Sequence, residues 1–427
     1  MDYNTNNTPE NNIEEFIKAQ NRAMRMRFIS GMLVGFMCTI LIISGAAFYY
    51  LSSRKVTLTD ENIKPVENSV MDLETTDKVE ALESLIENYY YKDDIDKETK
   101  RAGIYKGLMN SLGDPYSVYY TAEELEDFMS DTQGIYYGIG AYVSFDSSIN
   151  YPRITEPMPG SPAEEAGLCP EDIIFAVDDV STQGMDLEDV VALIKGEEGT
   201  SVHLTLVRNG YPDNIEVDVI RASVEVPTVT TKVLEDDIGY LKITEFDEVT
   251  ANQFTEGLAD LRSQNIKGLI IDLRNNPGGS LNTVCDIARQ LLPKGVIVYT
   301  LDKEGNREDY NCEVDNKIDI PVVVLVNKYS ASASEILSGA IKDYKLGKLV
   351  GTTTYGKGIV QRVFDLRDGT AIKLTVSSYY TPSGVNIHGI GIEPDVTVEF
   401  DADAYIADKT DNQLDKAVEV MKGLLDK

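Results

Sequence analysis

Histidine is nearly absent: the 427 residues contain two, His203 and His388. Hydrolysis built on an imidazole base would have to use one of them, and neither stands in a motif that suggests it. Cysteine is almost as sparse, at four. Cys38 falls in an apolar run, and Cys169, Cys285 and Cys312 are an odd number without metal-ligand spacing, which argues against a disulfide framework and a Cys/His metal site. No cofactor is expected. Basic residues are outnumbered, 39 Lys and Arg against 71 Asp and Glu, for a net charge of −32. A chain this acidic is a poor ligand for nucleic acid, and the acidity reads as a solvated, solubilising surface.

Charge is missing altogether between Phe28 and Leu51. At ~1.5 Å per residue such a run spans a hydrocarbon core of ~30 Å with some tilt, which predicts a transmembrane anchor over 28–51. Residues 1–27 are then a cytoplasmic tail, in which Asp2, Glu10, Glu14 and Glu15 balance Lys18, Arg22, Arg25 and Arg27. Arg54 and Lys55 follow the run, so the positive-inside bias is mild; it places the amino terminus inside and the bulk of the chain outside the cell membrane. Ser44-Gly45-Ala46 supplies the small residues of a cleaved signal peptide, whose apolar region is ordinarily shorter.

Beyond the anchor the composition changes several times. Residues 52–70 read as a linker and 71–132 as a helical region, with Val79, Leu82, Ile86 and Tyr89, then Tyr105, Leu108, Met109 and Leu112, at helical spacing. Thr121 with Glu124 predicts a capped short helix. Residues 133–222 shorten to strands and turns. Residues 223–402 alternate strands such as GYLKITEF and KGLIIDLRNN with helices such as ANQFTEGLADLRSQ, the pattern of a layered α/β core. Residues 403–427 read as a final helix. No repeat organises the roughly 375 residues outside the membrane, a length that predicts two or more domains.

The chemistry concentrates between Ser330 and Gln361. The apolar run PVVVLV at 321–326 precedes SASASEILSGAIKDY, placing Ser332 at a strand-to-helix turn. A serine there is most often an N-cap. The same position sets a hydroxyl beside free helix N–H groups, including that of Ala333, which could stabilise an oxyanion. Lys357 stands in a Gly-Lys-Gly loop, and Gln361 lies four residues on, at a spacing that puts both on one face of a strand. A lysine can serve as base once desolvation lowers its pKa. DLRNNPGGS, after a buried strand, offers glycines whose backbone can approach a carbonyl closely.

SASASE, GKG and VQ at these spacings resemble the carboxyl-terminal processing peptidases of serine peptidase family S41. The resemblance, which runs from about residue 78 to 400 and includes SLGDPYS at 111–117, implies Ser332 as nucleophile, Lys357 as general base and Gln361 as the group orienting the lysine. It implies an oxyanion hole from Gly279 and Ala333, with Gly278 as fallback, on a core of the crotonase and Clp-peptidase type. YYGIGA, PGSPAEEAGL, PEDIIFAVDD and DLEDVVALIK, in that order, resemble a PDZ domain over 133–222. Its carboxylate-binding loop would be Tyr137, Gly138, Ile139, Gly140 and Ala141, where glycines let N–H groups converge on a peptide terminus beside an open strand edge. In related peptidases an arginine of an Arg-Gly-x-x-Gly motif couples this domain to the active site; here Lys195 occupies that place. The expected fold class is thus α/β multidomain: transmembrane helix, amino-terminal helical region, inserted PDZ domain and peptidase core. The expected activity is a membrane-anchored serine endopeptidase acting on proteins with free C-termini, with a homo-oligomer left open. A noncatalytic PDZ adaptor on a degenerate core is the alternative; an enoyl-hydratase-like enzyme would leave the PDZ segment idle.

Overall fold

A computed structural model describes residues 67–92 and 95–426. The expected tail, the anchor at 28–51 and most of the linker lie outside the described residues. Among the described residues no helix is long and apolar enough to cross a membrane. The structure divides into two compact units. Among the described residues the smaller comprises 67–79 with Asp365–Asp368; in it the Asp72 carboxylate accepts from the Thr75 N–H at 2.9 Å, at the start of the helix Leu73–Tyr89. The larger comprises Glu80–Phe364 and Gly369–Lys427.

In the larger unit, PVVVLV becomes the strand Val322–Val326, buried along its length. It lies inside a six-stranded sheet ordered Val229–Leu234, Ile238–Ile243, Gly268–Asp272, Val322–Val326, Gly347–Gly351 and Val396–Thr397. Only the first pair is antiparallel. Val322, Val324 and Val326 enter a core shared with Phe254, Val284 and Leu337 from three helices, whereas Val323 and Leu325 enter another with Ala417 and Met421 of the helix Asn412–Leu425. A strand covered on both faces is apolar at every position, which explains the unbroken run.

A second, antiparallel sheet is built on the strand Ala371–Tyr380, flanked by Gly295–Asp302 and by the short strand Val118–Tyr120, with Val118 opposite Lys373. This pairing carries the segment just before Val118 to the middle of the molecule, a long-range consequence that no local pattern announces.

The segment of short strands forms its own sheet, ordered Ala141–Asp146, Tyr151–Pro157, Ile173–Val177, Ser201–Val207 and Ile215–Ile220. Ile154, Ile174, Val202, Leu204 and Leu206 pack there against Val190 and Ile194 of the helix Leu187–Ile194. Ala141–Asp146 is at the sheet edge, as peptide capture by strand addition requires. Thr121 caps the helix Ala122–Gln133 reciprocally with Glu124. The carboxyl-terminal segment holds two helices rather than one, Ala402–Asp408 and Asn412–Leu425, because Lys409 turns left-handed (φ +67°) and Asp411 caps a new start.

Candidate active site

Ser332 heads the helix Ala333–Asp343 with φ +53° and ψ −113°, a conformation that costs a non-glycine residue on the order of 1–3 kcal/mol. The preceding turn is locked from below: the Ser330 hydroxyl donates to Leu273 O (2.7 Å) and accepts from Asn327 N–H (2.9 Å). The Glu335 N–H donates to the Ser332 carbonyl at 2.8 Å, closing a box at the helix start. The Ser332 side chain lines a cleft of ≈ 420 Å³ together with Gly279, Ala333, Lys357, Gln361 and Tyr379.

Glu335, fully buried, fastens the serine turn to the lysine loop. Its Oε2 accepts from the N–H of Ser332 and of Lys357, both at 2.9 Å, and its Oε1 accepts from Gly356 N–H (2.7 Å) and the Thr354 hydroxyl (2.6 Å). Lys357 sits in the loop before the strand Ile359–Asp365, with Nζ 4.3 Å from the centroid of the Tyr116 ring. Burial pushes the lysine pKa down, helped by the charge of Lys373 and opposed by Asp114 and Glu335. The Tyr116 hydroxyl, hydrogen-bonded to Tyr355 at 3.3 Å, is pushed up to about 12, first by that bond and then by burial, so the ring under the lysine stays neutral.

Gln361 shares the cleft, where its Nε2 donates to Thr375 Oγ1 at 3.1 Å. Thr375 in turn donates to Asp114 Oδ2 (2.6 Å), which also accepts from the Ser117 hydroxyl (2.6 Å). A hydroxyl has one proton, and Thr375 commits it to the carboxylate, so it must accept from the Gln361 NH₂. That fixes the amide and leaves its carbonyl oxygen uncommitted on the other side. Burial pushes Asp114 up, but the bonds from Ser117 and Thr375 outweigh it and hold the carboxyl below its ordinary range. Sequence alone does not single out Asp114, Tyr116, Thr375 or Glu335; SLGDPYS belongs to the family resemblance without a role for its residues, and that role depends on the strand pairing above. Thr375→Val removes the hydroxyl that fixes Gln361 and is expected to lower kcat about tenfold with little change in KM; an effect confined to KM would make Thr375 a substrate contact.

The glycine loop lies beside the serine. A side chain on Gly278 (φ +112°) would stand 2.7 Å from Ser332 Cβ, so only glycine permits this approach. Gly278 donates its N–H to Asn276 Oδ1 (2.8 Å). Gly279 and Ala333, which both line the cleft, donate theirs to no described residue, which favours this pair over the fallback. Neither histidine lines the cleft. His203 bonds Asp218 and Glu216 in the separate sheet, and His388 Nδ1 accepts from Gly358 N–H at 3.4 Å, behind the lysine loop.

A second groove of ≈ 430 Å³ is lined by Tyr137, Gly138, Ile139, Gly140, Ala141 and Lys195, among others. The Ile139 and Gly140 N–H groups donate to no described residue, while the Gly140 carbonyl is taken by Met158 (2.9 Å) and that of Ile139 by Ala163 (2.7 Å). The loop thus presents donors outward, as a carboxylate requires. Lys195 ends the helix Leu187–Ile194 and holds Nζ 4.9 Å from the Tyr136 ring centroid, and the Tyr136 hydroxyl donates to Asp131 Oδ1 at 2.6 Å. Asp131 lines both the groove and the cleft.

Comparison with known proteins matches three stretches of the chain to families. Peptidase family S41 matches residues 237–398, a PDZ domain 153–208, and the activating protease CtpB N-terminal domain 40–124. The carboxy-terminal processing protease CtpA of Bacillus subtilis (strain 168) is 39% identical over 321 residues, covering 75% of this chain and 68% of the relative. A carboxyl-terminal-processing protease of Synechocystis sp. is 36% identical over 323 residues, 74% of this chain and 75% of the relative. Among solved structures, a photosystem II D1 C-terminal processing protease is 31% identical, covers 76% of this chain and 88% of its own, and superposes with a TM-score of 0.44.

Proposed function

Since the chain belongs to the carboxyl-terminal processing peptidases of family S41, multidomain α/β hydrolases with a PDZ domain, we propose that it is a membrane-anchored endopeptidase in which Ser332 attacks and Lys357 is the base. Residues 28–51 hold it in the cell membrane with the catalytic part on the extracytoplasmic side, and the core is of the crotonase and Clp-peptidase type. The observation that carries the dyad is a lysine whose charged form is disfavoured by burial, in one cleft with a serine held at φ +53° at the head of a helix.

Neutral Lys357 takes the proton of Ser332 as its oxygen bonds to the scissile carbonyl carbon. The developing oxyanion is met by the N–H groups of Gly279 and Ala333, each worth about 3 kcal/mol. The protonated lysine returns its proton to the leaving amine, and water repeats the sequence on the acyl-enzyme. Gln361, its amide held by Thr375, steers the lysine through its carbonyl oxygen. The intact chain should cut a quenched-fluorescence peptide and Ser332→Ala should not; equal cleavage by both would place the nucleophile elsewhere. An adaptor would bind the peptide and leave it whole.

The groove with its outward N–H groups takes the substrate's C-terminus, and Lys195 relays occupancy. Peptides with a free carboxylate should therefore be cut about tenfold faster than their amides, a preference that Lys195→Ala erases and Lys195→Arg keeps. Equal rates for free and amidated peptides in the unaltered enzyme would leave the groove a passive tether.

A further inference from the structure

The cleft has a second charged end that the hydrolytic roles leave unused. Phe246 is fully buried and runs alongside Gly279; its N–H donates to Gly278 O (2.8 Å) and its carbonyl accepts from Ser280 N–H (2.7 Å). Along extended backbone successive side chains point to opposite sides. With Phe246 turned into the core, Glu245 and Asp247 turn out into the cleft, one on each side of the residue that clamps the glycine loop. Asp131, from the helix Ala122–Gln133, faces them across it.

Of the three, Glu245 and Asp131 are exposed, and Asp247 is the buried one. Asp247 is only 7% exposed. Its carboxyl is pushed up to about 7 by burial, then by Glu245 and Asp131, with no hydrogen bond or cation acting on it. Burial and Asp131 likewise push Glu245 up, again without a donor. Asp131 has the Tyr136 hydroxyl. The cations of the cleft, Lys357 and Lys373, form no ion pair with any of the three; Lys373 lies over the rings of Tyr120 and Phe128 instead. Two like charges beside a buried carboxylate make it costly to ionise, and a cation placed among the three relieves that cost. Among the described residues no group of three His, Cys, Asp or Glu is arranged to hold a metal ion; a cationic side chain of the substrate would supply the counter-charge.

We propose that Asp131, Glu245 and Asp247 form a subsite for a lysine or arginine side chain of the polypeptide, next to the bond that Ser332 attacks. This rests on the peptidase reading above and names the substrate class for it. Asp131 also borders the groove that takes the C-terminus, so the subsite lies where a chain tethered there would enter the cleft.

The test uses the full chain and pairs of quenched-fluorescence peptides that differ only in lysine against norleucine, the lysine scanned through the positions flanking the scissile bond. At one position, at pH 8, kcat/KM should favour lysine by roughly tenfold or more. Asp247→Asn should bring that ratio close to one. Lowering the pH through 7 should shrink it, because Asp247 is ionised above that value and neutral below it; taking the ratio cancels the titration of Lys357, which both peptides share. Asp247→Asn should also raise Tm at pH 8, since it removes an uncompensated charge from the unliganded protein. The inference is overturned by norleucine peptides being cut as well as every lysine peptide, by a preference that survives Asp247→Asn, by one abolished by EDTA, or by a lowered Tm. Cleavage of no peptide at all by the chain with Ser332 intact would instead remove the peptidase reading, and this inference with it.

Discussion

Lys357→Arg should lower kcat by roughly a thousandfold, although it preserves charge and nearly preserves length. Arginine stays protonated under all working conditions, so it cannot accept the proton of Ser332 however well it fits. The lysine can, because burial and Lys373 lower its pKa against the pull of Asp114 and Glu335. The sign of the pH dependence follows: the base works when neutral, so kcat/KM for an uncharged peptide should rise with pH through the lowered lysine pKa. Lys373→Met removes a charge that helps the lysine lose its proton, and the acid limb should then move to higher pH. Substitution of either histidine should leave that limb in place. Turnover retained by Lys357→Arg would sink the dyad.

The parts of this site that are close in sequence were legible. A strand buried on both faces, a serine at its exit and a helix behind it form one local pattern, and the run 321–343 carries all of it. The lysine loop and Gln361 lie within thirty residues of the serine, and the resemblance to a family assigned their roles. What could not be read depends on pairing across the chain. Asp114 reaches Thr375 only because Val118–Tyr120 joins the edge of the strand Ala371–Tyr380. Ser332 and Glu335 have the spacing of a capping box, and nothing local says that the glutamate also binds Gly356 and Lys357, more than twenty residues away. Nothing local says that Asp247, beside the buried Phe246, is itself only 7% exposed. The strand-spacing argument for Lys357 and Gln361 needs adjustment as well: the lysine stands in the loop, and only the glutamine is in the strand.

Glu335→Gln should lower kcat about a hundredfold and shift the acid limb of the rate profile to lower pH, and the second effect is the diagnostic one. All four groups around the Glu335 carboxyl are donors. A glutamine presents two acceptor sites on one oxygen and an NH₂ on the other side. Turned toward Ser332 and Lys357 the NH₂ meets two N–H donors, and turned the other way it meets the Gly356 N–H alone, because the Thr354 hydroxyl can rotate to accept. A buried donor left without an acceptor costs on the order of 1–3 kcal/mol, and either the Ser332 turn or the Lys357 loop must move to avoid it. Because Ser332 is already in an unfavourable conformation (φ +53°), the loss of its N–H acceptor should let the turn relax and carry the hydroxyl away from the lysine. A merely structural role would lower activity and Tm together and leave the surviving rate with its original pH profile. Glu335 also stands beside Lys357 as a negative charge that raises the lysine pKa. Neutralising it makes the ammonium easier to deprotonate, so the remaining activity should persist to lower pH than in the unaltered enzyme. Glu335→Asp keeps the charge and shortens the reach; it should lower kcat while leaving the acid limb where it was. An acid limb that stays fixed in Glu335→Gln, or moves to higher pH, would show that the carboxylate supports the fold without setting the protonation of the base.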